Sequence, residues 1–334
     1  MEEEIATTQN NVICNGLTKI YSGKRKNRAI DSLNFSIPST GIFALIGRNG
    51  SGKTTLVRIL STELKPTLGS VSINGIDVIN DPDRLREKIA IVPQEARAVP
   101  WMTPTQTVLS YLLWRGFDYG VAKQRAIDTL GRLGLGRQAN TLNRTLSGGN
   151  KRKVLVATVL ASEAEIIFLD EPTTGLDPIS RKEFWGLLKE IGRERFTFLT
   201  THYLEEAEEL GDRIGILDRG RLIGLGTLDE LRQRANYNYS MKLPPAIPIP
   251  HVTNGEAIEG KDGTRILTTE EEAFKISREL SRSGYKFTIN PISLDDIFFY
   301  LVNREGNKAE IGNQRGSEPA EEGEEADTTA GENE

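Results

Sequence analysis

Apolar positions along this chain fall into short runs broken by polar and Gly-rich turns, the rhythm of a mixed α/β protein. Residues 12–37 alternate loosely, with Ile13, Leu17, Ile30, Leu33, Phe35 and Ile37 set between polar positions, which predicts two strands around the polar loop 22–28. Unbroken apolar runs at 41–46, 89–92 and 166–169 read as short buried strands, and 196–201 as another. Asn74-Gly75 between apolar stretches predicts a two-residue type I′ hairpin that extends the first strands into an antiparallel sheet. From 105 to 133 the spacing turns helical, with Val108, Leu109, Leu112 and Leu113 on one face and Ala122, Ala126, Ile127, Leu130 and Leu133 on another.

Past residue 210 the pattern becomes that of a smaller unit. Residues 213–217 and 221–225 pair across Asp218-Arg219-Gly220, and Thr227 with Glu230 makes a capping box that opens a helix. A proline-rich linker at 244–250 precedes a strand at 265–267, a helix at 270–281 capped by Thr268 or Thr269, a strand at 285–289 and a helix from Ser293. The expected division is a flexible start over 1–10, a main domain over 11–235 with a helical part near 95–160, a linker over 236–250, a small α+β domain over 251–303 and a disordered acidic tail over 304–334.

Composition narrows the options. One cysteine, Cys14, rules out an internal disulfide and fits a reducing compartment, and two histidines leave little for a zinc site. The acidic start Met1-Glu2-Glu3-Glu4 lacks the apolar core of a signal peptide. No apolar run reaches the ~18–20 residues that cross a bilayer, so a role at a membrane needs another polypeptide. The net charge of −5 comes from residues 317–334, which hold eight acidic side chains and no basic one. The remainder is only weakly basic, too weakly for a nucleic-acid surface.

The chemistry centres on Gly47-Arg48-Asn49-Gly50-Ser51-Gly52-Lys53-Thr54-Thr55, which follows an apolar strand and opens a helix. Its glycines let successive backbone N–H groups face one anion, and the helix start adds its positive end. Lys53 is then placed to reach the β- and γ-phosphates of a nucleotide, and the Thr54 hydroxyl to ligate Mg²⁺. Gln94, at a strand's C-terminal end, offers a carbonyl to Mg²⁺ and an amide to an attacking water. Tyr21 is either a face for a nucleotide base or a sheet-edge tyrosine. Ser147-Gly148-Gly149 precedes a helix over 151–162 and makes a second anion-binding terminus, unless Ser147 is a plain N-cap. Residues 166–171 form a strand ending in two acids: Asp170 to hold Mg²⁺, Glu171 to take a proton from the attacking water. His202 stands at the tip of the next strand and is either a structural histidine or one that contacts the γ-phosphate.

In order and separation these segments resemble the ATP-binding subunit of ABC transporters over about residues 12–231. Residues 47–55 are similar to Walker A, Gln94 to the Q-loop glutamine, residues 146–150 to the LSGGQ signature and 166–171 to Walker B with its catalytic glutamate. Residues 175–177 resemble the D-loop, His202 the switch histidine and Tyr21 the adenine-stacking aromatic. The resemblance implies an α/β P-loop NTPase fold: a RecA-like core, an antiparallel β subdomain, a helical signature subdomain and a small C-terminal α+β appendage. It implies ATP as substrate with Mg²⁺, and a second ATPase subunit packed head to tail, so that Ser147, Gly148, Gly149 and Asp177 serve the partner's ATP. It also implies a separate transmembrane permease and a peripheral place on the cytoplasmic face of the cell membrane. Residues 293–300 are similar to the C-terminal segment of export-branch subunits. Asn150 departs from the family's usual Gln. The stretch 94–104 with Trp101 and Met102 is a candidate permease-docking surface, the alternative being that both side chains fill the helical core. A soluble relative working in translation or DNA repair is the competing reading. Against it, each motif occurs once, and no long coiled coil separates Lys53 from Ser147.

Overall fold

The computed structural model describes residues 11–22, 27–245, 247–260 and 263–315, with side chains described to residue 304. The expected flexible start and the acidic stretch 317–334 lie outside these residues.

Three sheets organise the chain. Strands β1 (Asn11–Tyr21), β2 (Asn27–Pro38), β4 (Leu68–Ile73) and β5 (Ile76–Asp77) form an antiparallel sheet in the order β2-β1-β4-β5. Its β4–β5 hairpin has Asn74 and Gly75 both at positive φ, 52° and 74°, as a type I′ turn demands. The central sheet runs β10-β9-β3-β8-β7-β6, built from β3 (Ile42–Ile46), β6 (Ile89–Val92), β7 (Ile166–Asp170), β8 (Phe196–Thr201), β9 (Arg213–Asp218) and β10 (Arg221–Gly226). Strands β6 to β9 and β3 pair in parallel, with β10 antiparallel at one edge. β3, β7 and β8 are buried along their whole length, which explains the unbroken apolar runs of β3 and β7. Phe43, Phe168 and Phe198 meet between the two sheets at ring separations of 5.0 and 5.7 Å. Each such side chain contributes ~1.5–3 kcal/mol by leaving water.

Helices cover the central sheet. α1 (Lys53–Leu60) follows β3, and α2 (Pro82–Lys88) leads into β6. A helical layer then adds α3 (Pro104–Trp114), α4 (Tyr119–Arg132) and α5 (Gly148–Ala161), which share one apolar core with α6 (Pro178–Glu194). α5 starts at Gly148 rather than at Lys151, because the Ser147 hydroxyl caps it by accepting from the Asn150 N–H. Trp101 is 76 % exposed and so does not fill that core, whereas Met102 is half-buried. α7 (Leu204–Leu210) follows β8, and α8 (Leu228–Ala235) opens with the expected Thr227–Glu230 capping box.

The C-terminal unit departs most from expectation. The span 236–250, expected as a linker, contains β11 (Tyr239–Leu243), which pairs with β13 (Gly263–Thr268) on one side and β14 (Thr288–Pro291) on the other. With β12 (Gly255–Gly260) they make a sheet in the order β12-β13-β11-β14, so the prolines at 244–250 belong to a connection inside this unit. Met241 and Leu243 alternate inward beneath α9 (Glu270–Arg282), a strand pattern masked in sequence by the adjoining prolines. The last strand begins at Thr288 instead of Tyr285, since Gly284 at φ 73° and Tyr285, donating to the Leu280 carbonyl, still finish α9. α10 (Leu294–Arg315) starts at the expected place and carries residues 304–315, assigned above to the tail, as helix. Its Ile297, Phe298 and Tyr300 pack with Ile214 and Ile216 of the central sheet, joining the C-terminal unit to the main body.

Candidate functional site

The site lies at the C-terminal ends of β3, β7 and β8, where an α/β sheet gathers its ligands. β3 delivers the chain to Gly47, whose backbone is so closely packed that a Cβ would stand 2.3 Å from the Leu217 carbonyl and 2.5 Å from Ser51 Oγ. Gly52 adopts φ 110° directly before α1, and a Cβ there would stand 2.3 Å from the Ala29 carbonyl. Only glycine satisfies both demands. Gly50, at φ 80°, faces open space. The turn encloses Lys53, which is 5 % exposed and donates to the Gly47 and Arg48 carbonyls at 2.8 and 3.3 Å. Burial draws its ammonium below the ordinary lysine range, opposed by the carboxylates of Glu171 and Asp170.

The two acids diverge in environment. Asp170, the last residue of β7, is 1 % exposed and accepts a hydrogen bond from the Thr200 hydroxyl, with the Thr54 hydroxyl nearby. Burial raises its pKa above the usual carboxylate range, partly offset by those hydroxyls. Glu171 lies just beyond the strand at φ 49°, a left-handed conformation uncommon outside glycine. That twist turns its side chain back over the P-loop. Its Oε1 is 3.7 Å from Lys53 Nζ, while Oε2 accepts from Gln94 Nε2 at 3.1 Å and from Thr174 Oγ1 at 3.2 Å. The same Oε2 is 3.0 Å from His202 Nδ1. The structure thus gathers Lys53, Gln94, Glu171 and His202, from four separate segments, around one carboxylate.

Beside this cluster lies a cavity of about 320 Å³ lined by Tyr21, Asn27, Ala29, Asn49, Gly50, Gly52, Lys53, Thr54, Thr55, Gln94 and Glu171. Tyr21 ends β1 at the cavity wall, its hydroxyl 3.4 Å from Thr55 Oγ1 and the Lys19 ammonium 5.5 Å from its ring centre. Among the described residues no group of three or more His, Cys, Asp and Glu side chains could hold a metal. Thr54 and Gln94 line the cavity with Lys53, and the Asp170 carboxylate lies close enough to interact electrostatically with Lys53; together the three side chains offer a hydroxyl, an amide carbonyl and a carboxylate. Such hard, mixed donors suit an ion that keeps most of its own water, as Mg²⁺ does.

Ser147, Gly148, Gly149 and Asp177 do not line this cavity. Ser147 caps α5, and Asp177 caps α6 by accepting from the Ile179 and Ser180 N–H groups at 3.1 and 3.0 Å. Asn150 donates to Gln138 Oε1 at 3.0 Å and so ties the start of α5 to the preceding turn. Two residues that motif spacing passes over belong to the site. Thr200 serves both acids, donating to Asp170 and accepting from the Glu171 N–H at 3.1 Å. Thr174 holds the Glu171 carboxylate. The signal for Thr200 was present, since two adjacent threonines end a buried strand just before His202.

Comparison with known proteins agrees with this geometry. The family model described as ABC transporter matches residues 30–174. The daunorubicin/doxorubicin resistance ATP-binding protein DrrA of Streptomyces peucetius is 32 % identical over 302 residues, covering 86 % of this chain and 91 % of that one. The doxorubicin resistance ATP-binding protein DrrA of Mycobacterium tuberculosis is 38 % identical over 237 residues, 70 % of each chain. Among solved structures, the ATP-binding cassette MJ0796, in a dimeric post-hydrolysis state bound to ADP and Pi, superimposes with a TM-score of 0.59 at 29 % identity, over 65 % of this chain and 98 % of that one. With its P-loop cavity, its paired acids and these relatives, the chain belongs to the ABC transporter family as an ATP-binding subunit with ATPase activity.

Proposed function

We propose that this chain binds ATP with Mg²⁺ in the cavity beside Lys53 and hydrolyses it to drive export through a transmembrane permease on another polypeptide. The observation that carries the reading is the convergence of Lys53, Gln94, Thr174 and His202 on the Glu171 carboxylate. Glu171 accepts the proton of the attacking water, Gln94 orients that water, and His202, beside the carboxylate, meets the γ-phosphate. Lys53 and the backbone N–H groups of residues 47–55 hold the phosphates, with Tyr21 against the base. Thr54, Asp170 and Gln94 hold the Mg²⁺, which neutralises phosphate charge.

Two chains pair head to tail in this reading, the start of α5 with Ser147, Gly148, Gly149 and the nearby Asp177 closing over the partner's ATP. The placement of these residues outside their own P-loop cavity supports it, as does the dimeric state of the MJ0796 cassette. Among the described residues no helix is long and apolar enough to cross a membrane; in this reading the permease is a separate partner and the chain sits peripherally on the cytoplasmic face. The drug-resistance names of the DrrA relatives support export of drug-like compounds. The drug-resistance relatives favour this reading over a soluble role in translation or DNA repair.

The test is E171Q in the full chain. Turnover falls by the ~10²–10⁴ expected for loss of a general base, while ATP binding persists and ATP-dependent dimers accumulate on gel filtration. E171Q with ordinary turnover removes Glu171 from this role.

A further inference from the structure

One basic side chain joins the helix capped by Ser147 to the turn that carries Glu171. Arg152 sits in the second turn of α5 and is 7 % exposed. Its Nε donates to the Pro172 carbonyl at 2.7 Å, its Nη2 to the Glu171 carbonyl at 2.9 Å and its Nη1 to the Ala96 carbonyl at 3.4 Å. All three are main-chain oxygens, and none of these bonds goes to a carboxylate. A buried guanidinium is costly unless its donors are placed, and an apolar residue would fill the same volume without that cost.

What the arrangement secures is the Glu171 peptide. That residue holds a left-handed backbone, which a non-glycine side chain keeps only when its surroundings impose it. Its N–H is held by the Thr200 carbonyl and hydroxyl, and its carbonyl by Arg152. The planar fork of the guanidinium reaches two successive carbonyls, 171 and 172, at once, which an ammonium cannot match. Its third arm reaches Ala96, two residues past Gln94, so one side chain braces the segments that carry both the base and its glutamine partner.

We propose that Arg152 is a positioning residue for ATP hydrolysis: it clamps the left-handed Glu171 backbone so that the carboxylate faces the P-loop, and it transmits displacement of α5 to that turn. The inference rests on the reading of Glu171 as the base. Because Ser147 caps the start of α5, contact of that terminus with the partner's phosphate bears on Glu171 of the same chain through this clamp.

The test compares R152M and R152K with the unmodified full-length chain for turnover at saturating ATP, Kd for ATP and thermal stability. R152M should lower kcat at least tenfold with Kd within twofold, and R152K, which retains a single-point donor, should lose less. Turnover of R152M within twofold of the unmodified chain overturns the proposal, as does a Kd that weakens as much as kcat falls. If R152M does not fold, R152K alone must show reduced kcat at unchanged Kd. An unmodified chain that neither binds nor hydrolyses ATP would instead defeat the functional reading on which this rests.

Discussion

His202 Nδ1 stands 3.0 Å from Glu171 Oε2, so the tip of β8 touches the acid that leaves the end of the neighbouring strand β7. The two strands are parallel and in register, Asp170 opposite Thr200, which places the residues just beyond each strand side by side. His202 is partly exposed while Glu171 is buried, so the imidazole stands between the carboxylate and solvent. H202A should therefore reduce kcat by ~10², the loss typical when one aimed polar group is removed from a reacting centre, with Kd for ATP little changed. Steady-state turnover alongside nucleotide binding checks this, and an equal loss in both would assign His202 to binding.

Thr200 underlies both acids. T200V keeps shape but removes the donor to Asp170 and the acceptor for the Glu171 N–H. Leaving a buried polar group unpaired costs ~1–3 kcal/mol, so denaturant unfolding should show a loss in that range. Turnover should drop about tenfold in the folded fraction, in line with a loss near the lower end. T200S, which retains the hydroxyl, should recover most of the activity.

G52A tests the phosphate cradle through sterics alone. At φ 110°, and with a Cβ 2.3 Å from the Ala29 carbonyl, alanine must displace β2 or the turn. The expected cost is about 3 kcal/mol of stability, from overpacking together with a disfavoured backbone, and ATP binding should be lost. G50A, which faces open space and meets only the backbone penalty, should be much milder in thermal unfolding.

Glu206 gives a pH signature. It is fully buried in α7, accepts from Trp185 Nε1 at 3.0 Å, and burial raises its pKa despite its hydrogen-bond donors and the nearby Arg181. A carboxyl with a raised folded pKa favours the protonated fold, so its contribution is full below the unfolded value near 4.5 and is lost as pH rises through the folded value. E206Q, neutral throughout and still able to accept from Trp185, should therefore melt higher than the unmodified chain at pH 8. The difference should shrink as pH falls toward 5. Melting curves across that range decide it, and a variant less stable at pH 8 would contradict the assignment.

Much of this site was legible because its parts are local. The strand, turn and helix of residues 42–60 and the acids ending β7 are written in consecutive residues, and so is the Asn74-Gly75 hairpin. Which residues meet is a different matter. Thr200 and Arg152 make contacts set by the parallel register of β7 and β8 and by the packing of α5, and no short-range spacing encodes those, whereas Thr174 reaches Glu171 from only three residues on. The C-terminal unit was misread for a related reason. β11 is short, borders a proline-rich stretch and finds both its neighbours, β13 and β14, much later in the chain. Its Met241 and Leu243 reveal their face only once α9 covers them.

The central claim is that each working nucleotide pocket takes Lys53 from one chain and Ser147 from another. Mixing full-length K53A with full-length S147A measures this directly. Each variant alone should be nearly inactive, and the mixture should regain ATP turnover, because one of the two pockets in a mixed pair is complete. No activity on mixing, or full activity of S147A alone, would contradict the shared pocket.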